Sequence, residues 1–417
     1  MTEPSAQQSE AYLDIVWKQF KKNTAAYVSL WLLAPLFMIA IFAPAIASNQ
    51  PFIFYDGDET LFPWFRSLFN TDESVDFAFN MALVGFIPWV VTAWVTNILW
   101  KKRGLSKWRR VNYIGIEFFA ITILLMTLFS IPGVRPLNKY RARTFTEEQF
   151  RSPDTKQGVY ALIPFGPTEQ DLDAFFKEPM YRKDRSLWEE SNDGFIHLFG
   201  TDDTGRDVLV QMIYGARISM TVGFLAVSLY ITIGVILGAL AGYFGGAVDI
   251  TISRIVEIVL LFPSFFLILT LVALLGPSIY IIMFVIGITG WPTIARLIRG
   301  EVLKQRSVDY TYAARALGSS SWRIIFRHIL PNAISPALVS APFGIAGAII
   351  AEASLSLLGF GVRPPTPSWG TLLKLGNYNY NYWWLIVVPS VAIFFAVTIF
   401  NLVGAGLRDA MDPRLRV

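Results

Sequence analysis

Eight runs of apolar residues, each long enough to cross about 30 Å of hydrocarbon, alternate with polar stretches along the chain. They lie near 27–47, 80–100, 112–132, 217–242, 252–275, 279–298, 335–358 and 383–407. Basic residues gather before the first run (Lys18, Lys21, Lys22), between the second and third (Lys101, Lys102, Arg103, Lys107, Arg109, Arg110), in 299–331, and after the last run (Arg408, Arg414, Arg416). With eight crossings all four clusters fall on one side, which the positive-inside tendency makes the cytoplasm. The pattern predicts an all-α polytopic membrane protein. It has a cytoplasmic N-terminal segment (1–26), outer segments at 48–79 and 133–216, a cytoplasmic loop at 299–334 and a cytoplasmic tail (408–417). The second outer segment is too long for a bare connection and predicts helices or a small subdomain at the membrane surface. The first run ends in Ala45-Ile46-Ala47, a signal-peptidase pattern. A polar leader with Glu3, Glu10 and Asp14, and an apolar run longer than that of a secretion signal, favour an uncleaved anchor.

Composition narrows the function. Hydrophobic residues make up 54% and charged residues 16% of the chain, a balance that excludes a soluble domain of this length. Cysteine is absent, which removes disulfides and thiolate chemistry, and the two histidines, His197 and His328, are too few for a histidine-rich metal site. No Gly-x-x-x-x-Gly-Lys-Ser/Thr loop occurs, so the chain cannot cradle a nucleotide in the usual way, and no His-Glu-x-x-His or Gly-x-Ser-x-Gly motif supports a membrane hydrolase.

The most informative polar stretch is Asp309-Tyr310-Thr311-Tyr312-Ala313-Ala314-Arg315-Ala316-Leu317-Gly318, continued through Trp322 to Ile329-Leu330-Pro331-Asn332. It predicts two short helices, the first closed by Gly318 and the second stopped at Pro331, which has no N–H to donate. Its small residues let the backbone press against another surface. The run resembles the coupling loop of the membrane subunits of ATP-binding-cassette importers, with Tyr312 standing where that family has glutamate. His197-Leu198-Phe199-Gly200-Thr201-Asp202-Asp203-Thr204-Gly205-Arg206-Asp207, followed by Ile213 to Ser219, can be read locally as a capping box, with Thr204 as cap and Asp207 three residues on. It also resembles the C-type permease subunit of oligopeptide, dipeptide and nickel importers. So do Gly242-Tyr243-Phe244-Gly245-Gly246 with Asp249, Glu352 to Gly361, Pro364 to Gly370, and Gly406 to Pro413. The likeness is dense over 197–417, weaker over 1–60 and scattered over 61–196.

That resemblance implies a six-helix type I importer core with two inserted helices at 80–132, which preserve the sidedness of everything downstream. It further implies a homologous second permease, two cytoplasmic ATPases that handle ATP and Mg²⁺, and an extracytoplasmic binding protein. No cofactor, metal or nucleic acid is expected on this chain. The expected cargo is a peptide; a nickel chelate, a microcin, glutathione or a sugar remains open. Expected ATPase-coupling residues are Tyr312, Ala313, Ala314, Arg315, Leu317, Gly318, Leu330 and Pro331, with Ala313, Ala314 and Gly318 giving close approach. From the residues alone, Gly234, Gly238 and Gly242 form one smooth helix face for a neighbour in this chain or in a second subunit. Glu352, with Ser354 and Ser356, is a candidate for the translocation path, against buried pairing within the bundle. Arg254 and Glu257 suit an ion pair, Arg296 a snorkelling cation, and Tyr378, Tyr380, Tyr382, Trp383 and Trp384 an outer interfacial belt. A proton-coupled secondary transporter, which leaves the coupling motif unexplained, and a scaffold protein working through its outer domain, which would survive loss of Gly318, remain as readings from other classes.

Overall fold

The computed structural model describes residues 12–57, 59–105, 107–140, 143, 145, 156–182, 196–378 and 380–412. Glu3 and Glu10, Arg414 and Arg416, and parts of the 133–216 segment lie outside the described residues, as do the side chains of Asp14, Lys107 and Arg109. Seven uninterrupted helices are long and apolar enough to cross a membrane: Thr24–Ile46, Ser74–Lys102, Arg110–Ser130 (within Lys107–Ser130), Val208–Phe244, Ile279–Arg306, Ser335–Leu357 and Trp384–Met411. The run expected as a continuous span at 252–275 is instead two helices, Gly246–Leu261 and Ser264–Leu275, bent by 86°. Pro263 explains the break. It cannot donate the next helical hydrogen bond, and it drives Phe262 into an extended conformation (φ −87°, ψ 133°). Counted as one span, the pair brings the total to eight.

Internal contacts divide the chain into two units. One comprises the described residues of 1–34, 220–363 and 391–417. Here the short Tyr12–Lys22 helix buries Val16 and Phe20 against Ala26, Val403 and Ala410, and the Asn23 side chain donates to Asp409 at 3.1 Å. The other unit comprises the described residues of 35–219 and 364–390. Its Ser74–Lys102 and Lys107–Ser130 helices pair through Gly85, where Ile121 and Leu125 press close, and through Trp89, whose indole donates to the Ile114 carbonyl at 2.9 Å. Ile87, Trp94, Phe119 and Leu124 point outward and are each 64% or more exposed, as helix faces toward lipid are.

The expectation of an all-helical chain needs a small amendment. Five short strands occur among the described residues: β1 (Ile53–Asp56), β2 (Glu59–Leu61), β3 (Lys156–Val159), β4 (Tyr181–Arg182) and β5 (Ile196–His197). β1 pairs antiparallel with both β2 and β3, and β4 pairs antiparallel with β5. At the end of the first sheet Asp56 accepts from Arg143, with Lys156 Nζ 3.5 Å away. The hydrogen bond from Arg143, then the charges of Arg143 and Lys156, hold the Asp56 carboxyl below its ordinary value. Its stabilising contribution is therefore present above the ordinary carboxylate range and lost as pH falls through the lowered value. Asp56→Asn is expected to abolish the acid-induced rise in amide exchange along β1 and β3, measured by hydrogen–deuterium exchange between pH 6 and about pH 3; an unchanged acid profile would remove Asp56 as its source.

Candidate functional site

The Ile279–Arg306 helix leads into the polar hairpin. Its first helix, Asp309–Ala316, ends as the small-residue pattern requires: Gly318 adopts φ +75°, Ser319 N–H donates to Ala314 O at 3.1 Å, and Gly318 N–H to Arg315 O at 3.0 Å. This paired closure satisfies carbonyls that a helix end leaves free, and the left-handed residue is one that only glycine adopts without strain. Tyr310 donates to Gln305 Oε1 at 2.7 Å and Thr311 to the Gln305 carbonyl at 2.9 Å, tying the hairpin to the preceding helix. Arg315 lies over the Tyr243 ring (5.9 Å), and Trp322 stacks on Phe326 and meets Phe244 edge-on.

Two expectations about this hairpin change. The second helix does not stop at Pro331. After Ser321–Arg323 the chain widens into a π-helical turn, Ile324–Ile329, in which Leu330 N–H reaches back to Ile325 O, and Leu330–Ala333 then resumes as α-helix. Pro331 comes just after that wide turn, and the helical path runs through it to Ala333. Ala314 is also buried within the chain rather than exposed on the hairpin surface. Tyr312, Ala313, Arg315, Gly318 and Pro331 are exposed, Leu330 is half-buried, and Leu317 is 86% exposed. With Trp322 and Phe326, which the sequence reading left out, Tyr312 and Leu317 put four large apolar side chains on the outside of the hairpin.

Gly234, Gly238 and Gly242 of the Val208–Phe244 helix lie against the Ile279–Arg306 helix of the same chain. A Cβ on Gly234 would come within 2.6 Å of Ile294 Cβ, on Gly238 within 2.5 Å of the Ala295 carbonyl, and on Gly242 within 2.8 Å of Val302 Cβ. In the following helix, Gly246–Leu261, Asp249 grips Arg299 with both carboxylate oxygens, Nη2 to Oδ2 at 2.7 Å. Arg299 was hidden in the sequence among the basic residues of its loop. Arg254 and Glu257 do pair, at 2.6 Å and on the surface.

A cavity of about 400 Å³ opens between the Val208–Phe244, Ser264–Leu275, Ile279–Arg306 and Ser335–Leu357 helices. Tyr230, Ser264, Thr289, Thr293 and Ser340 give it hydroxyls, and Ile268, Ile286 and Phe343 its apolar wall. Glu352 is fully buried and accepts from Ser356 Oγ at 2.8 Å; neither it, Ser354 nor Ser356 lines this cavity, although Ala351 does. The candidate path assignment of these three residues is therefore not supported by the cavity. The missed lining residues carry no charge, and an uncharged hydroxyl within an apolar helix gives no signal by itself.

The Gly-Thr-Asp motif forms a buried knot. Asp202 Oδ1 accepts from Thr204 N–H, Thr204 Oγ1 and Arg206 N–H (2.8–3.0 Å), and Oδ2 accepts from Arg206 Nε at 2.7 Å and Gln211 Nε2 at 2.9 Å. Asp207, not Thr204, caps the long helix, accepting from Val210 N–H at 2.8 Å, while its other oxygen meets His197 Nδ1 at 2.8 Å. Thr204 is drawn into the turn around Asp202 instead. Trp384 is buried and donates to the Thr201 carbonyl at 3.1 Å, and Tyr382 stacks on Phe176, so the aromatic belt reduces to the exposed Tyr378, Tyr380 and Trp383. Trp369 of the Pro364–Gly370 run donates to Met212 O at 3.0 Å and packs over Gly215, so two separate sequence motifs meet there. Arg217, in the same motif, is fully buried and donates to Ala40 O (2.7 Å), Asp76 (2.9 Å), Asn80 (3.1 Å) and Ile41 O (3.3 Å).

Comparison with known proteins agrees with this geometry. Residues 234–417 match the family described as binding-protein-dependent transport system inner membrane component, and residues 11–63 match the N-terminal TM domain of oligopeptide transport permease C. The dipeptide transport system permease protein DppC of Alkalihalophilus pseudofirmus is 42% identical over 221 residues, covering 53% of this chain and 73% of that protein. DppC of Haemophilus influenzae is 38% identical and DppC of Escherichia coli 43% identical, each over 256 residues and 61% of this chain, covering 84% and 83% of those proteins. A chain of the MetNI methionine ABC transporter in inward-facing conformations aligns at 18% identity with a TM-score of 0.39, over 49% of this chain and 96% of that one. With its hairpin, its glycine-packed helices and these relatives, the chain belongs to the binding-protein-dependent inner membrane components and is a C-type permease of the peptide ABC importer family.

Proposed function

We propose that the chain works as one of two homologous permease subunits that import peptides across a cytoplasmic membrane. Two separate ATPases dock on the hairpin at 307–331, and an extracytoplasmic protein delivers the cargo. Both termini are cytoplasmic, ATP and Mg²⁺ are held by the ATPases, and this chain contributes rigid helices that rock around a central path. The Ser74–Lys102 and Lys107–Ser130 pair is an insertion peripheral to that path. The observation that supports this reading best is the hairpin: a stiff, glycine-closed turn with Tyr312, Leu317, Trp322 and Phe326 on its outside, in a chain whose relatives are named as dipeptide permeases. With tyrosine at 312 in place of glutamate, the contact there is apolar, or hydrogen-bonded through a phenol, rather than ionic.

Leu317→Asp tests it. Leu317 is 86% exposed, so the change costs the chain no packing, and a lost function must come from a partner. In vesicles containing the whole assembly, ATP-dependent uptake of labelled di- and oligopeptides is expected to fall about tenfold or more, as for the loss of an interface anchor. Uptake that needs no ATP and ignores the substitution would replace this reading with a secondary transporter. Stimulated ATP hydrolysis with no peptide uptake would redirect the search to a non-peptide solute.

A further inference from the structure

We propose that the cavity beside Tyr230 is a contact site for the peptide backbone in transit, with Tyr230 as its hydrogen-bond donor; this rests on the peptide-import reading. The Tyr230 side chain reaches the cavity through a notch made by two glycines on facing helices. A Cβ on Gly290 would lie 2.8 Å from its ring, and a Cβ on Gly344 would lie 1.5 Å from its hydroxyl oxygen. No other residue at either position leaves room for the phenol. Tyr230 is only 8% exposed and lines the cavity, yet no described residue hydrogen-bonds its hydroxyl. The hydroxyl keeps access to the cavity, so a donor with no partner among the described residues is open to a group that enters it.

Two of the other hydroxyls are set the opposite way, whereas Ser264 and Thr293, like Tyr230, have no hydrogen-bond partner among the described residues. Thr289 Oγ1 donates to Val285 O and Ser340 Oγ donates to Pro336 O, each at 2.8 Å on its own helix. Their protons are thus committed, and each offers lone pairs to the cavity. Free hydroxyls at Tyr230, Ser264 and Thr293 and acceptors at Thr289 and Ser340, on an apolar wall with no carboxylate, guanidinium or ammonium, can serve the carbonyl and N–H of an amide group. They give no preference for the sign of a cargo side chain's charge. A cavity of about 400 Å³ is large enough for a small peptide segment. The site reads what all peptides share and leaves selection to the protein that delivers them.

The test uses the assembled transporter in vesicles. Thr289→Asp adds a carboxylate to the cavity and is expected to shift uptake by about tenfold toward lysine-containing over glutamate-containing dipeptides, relative to wild type. Tyr230→Phe keeps the ring in its notch and is expected to lower the peptide moved per ATP hydrolysed about fivefold. Because the chain has no native cysteine, Ser340→Cys gives one thiol on this subunit, whose modification by a charged methanethiosulfonate should slow when dipeptide is transported. An unchanged charge preference in a transporting Thr289→Asp variant overturns the proposal. If that variant does not assemble, a Ser340→Cys modification rate indifferent to peptide overturns it. A wild type that hydrolyses ATP on stimulation but moves no peptide refutes the import reading, and this site with it.

Discussion

Arg217→Ala is expected to lower the stability of the purified chain by about 3 kcal/mol, near the low end of what removing one partner of a buried charge pair costs. The reason lies in the Thr24–Ile46 helix. Pro44 has no N–H, so the carbonyl of Ala40, four residues earlier, has no helical donor. Arg217 Nε supplies one at 2.7 Å, and its fork spans to Ile41 O, Asp76 and Asn80. Its guanidinium also lies 5.0 Å from the Tyr214 ring centre and 5.3 Å from that of Phe79. Truncation leaves an orphaned carbonyl and an unpaired Asp76. Because Asp76 is 27% exposed, water offsets part of that loss, hence the lower figure. Thermal unfolding in detergent should show a fall in Tm of about 5 °C, and Arg217→Lys should recover only part of it, because an ammonium cannot span four acceptors. A Tm unmoved by the alanine would mean that Arg217 is a passenger at this junction.

Gly238→Val is the second large effect. The obstacle there is backbone: an added Cβ would meet the Ala295 carbonyl at 2.5 Å and the Ala295 Cα at 3.1 Å, and neither can rotate away. Gly234 and Gly242, one turn to either side, face the same helix at 2.6 and 2.8 Å, so the strain cannot be shed by tilting about a neighbouring contact. Gly238→Ala is expected to cost about 1–3 kcal/mol, the usual range for overpacking, and the branched valine more, enough to prevent a stable assembly. Separation of these helices would also pull Asp249 from Arg299, so the loss should extend to the hairpin that the Ile279–Arg306 helix supports. Gly300→Ala is the control, since nothing lies within 4 Å of its added Cβ and alanine suits a helix interior. Size-exclusion profiles of the three variants decide the matter; a Gly238→Val profile like that of Gly300→Ala would defeat the packing argument.

Much of this protein was legible in its residues because a bilayer is a stringent solvent. Hydrocarbon demands apolar runs of a minimum length, so hydropathy marked where the helices lie. The hairpin was legible for a local reason: Gly318 ends a helix by its own conformational freedom, wherever the rest of the chain goes. Pro263 held the broken span in plain view, since proline constrains itself and the residue before it. The wrong inference at Pro331 had the same source read too strongly. A proline need not stop a helix when the preceding turn widens, and the π-helical turn Ile324–Ile329 leads straight through Pro331.

Side-chain pairing was a different matter. Glu352 stood out as an expensive charge within a span, but only the packing of Ser335–Leu357 decided that it is buried with Ser356 while the cavity is lined by residues of the adjacent turns. Asp202 and Asp207 looked alike in sequence, and the turn around Thr204 gave one of them five donors and the other the helix cap. What the chain determined by itself was therefore everything set by local backbone freedom and by transfer to lipid: the apolar runs, the glycine closure and the small-residue helix face. The tertiary structure alone decided which polar groups find one another, joining Arg217 to a carbonyl 177 residues away and Tyr230 to its two glycines, because a hydrogen bond or a notch is a relation of positions in space that no single stretch of sequence contains.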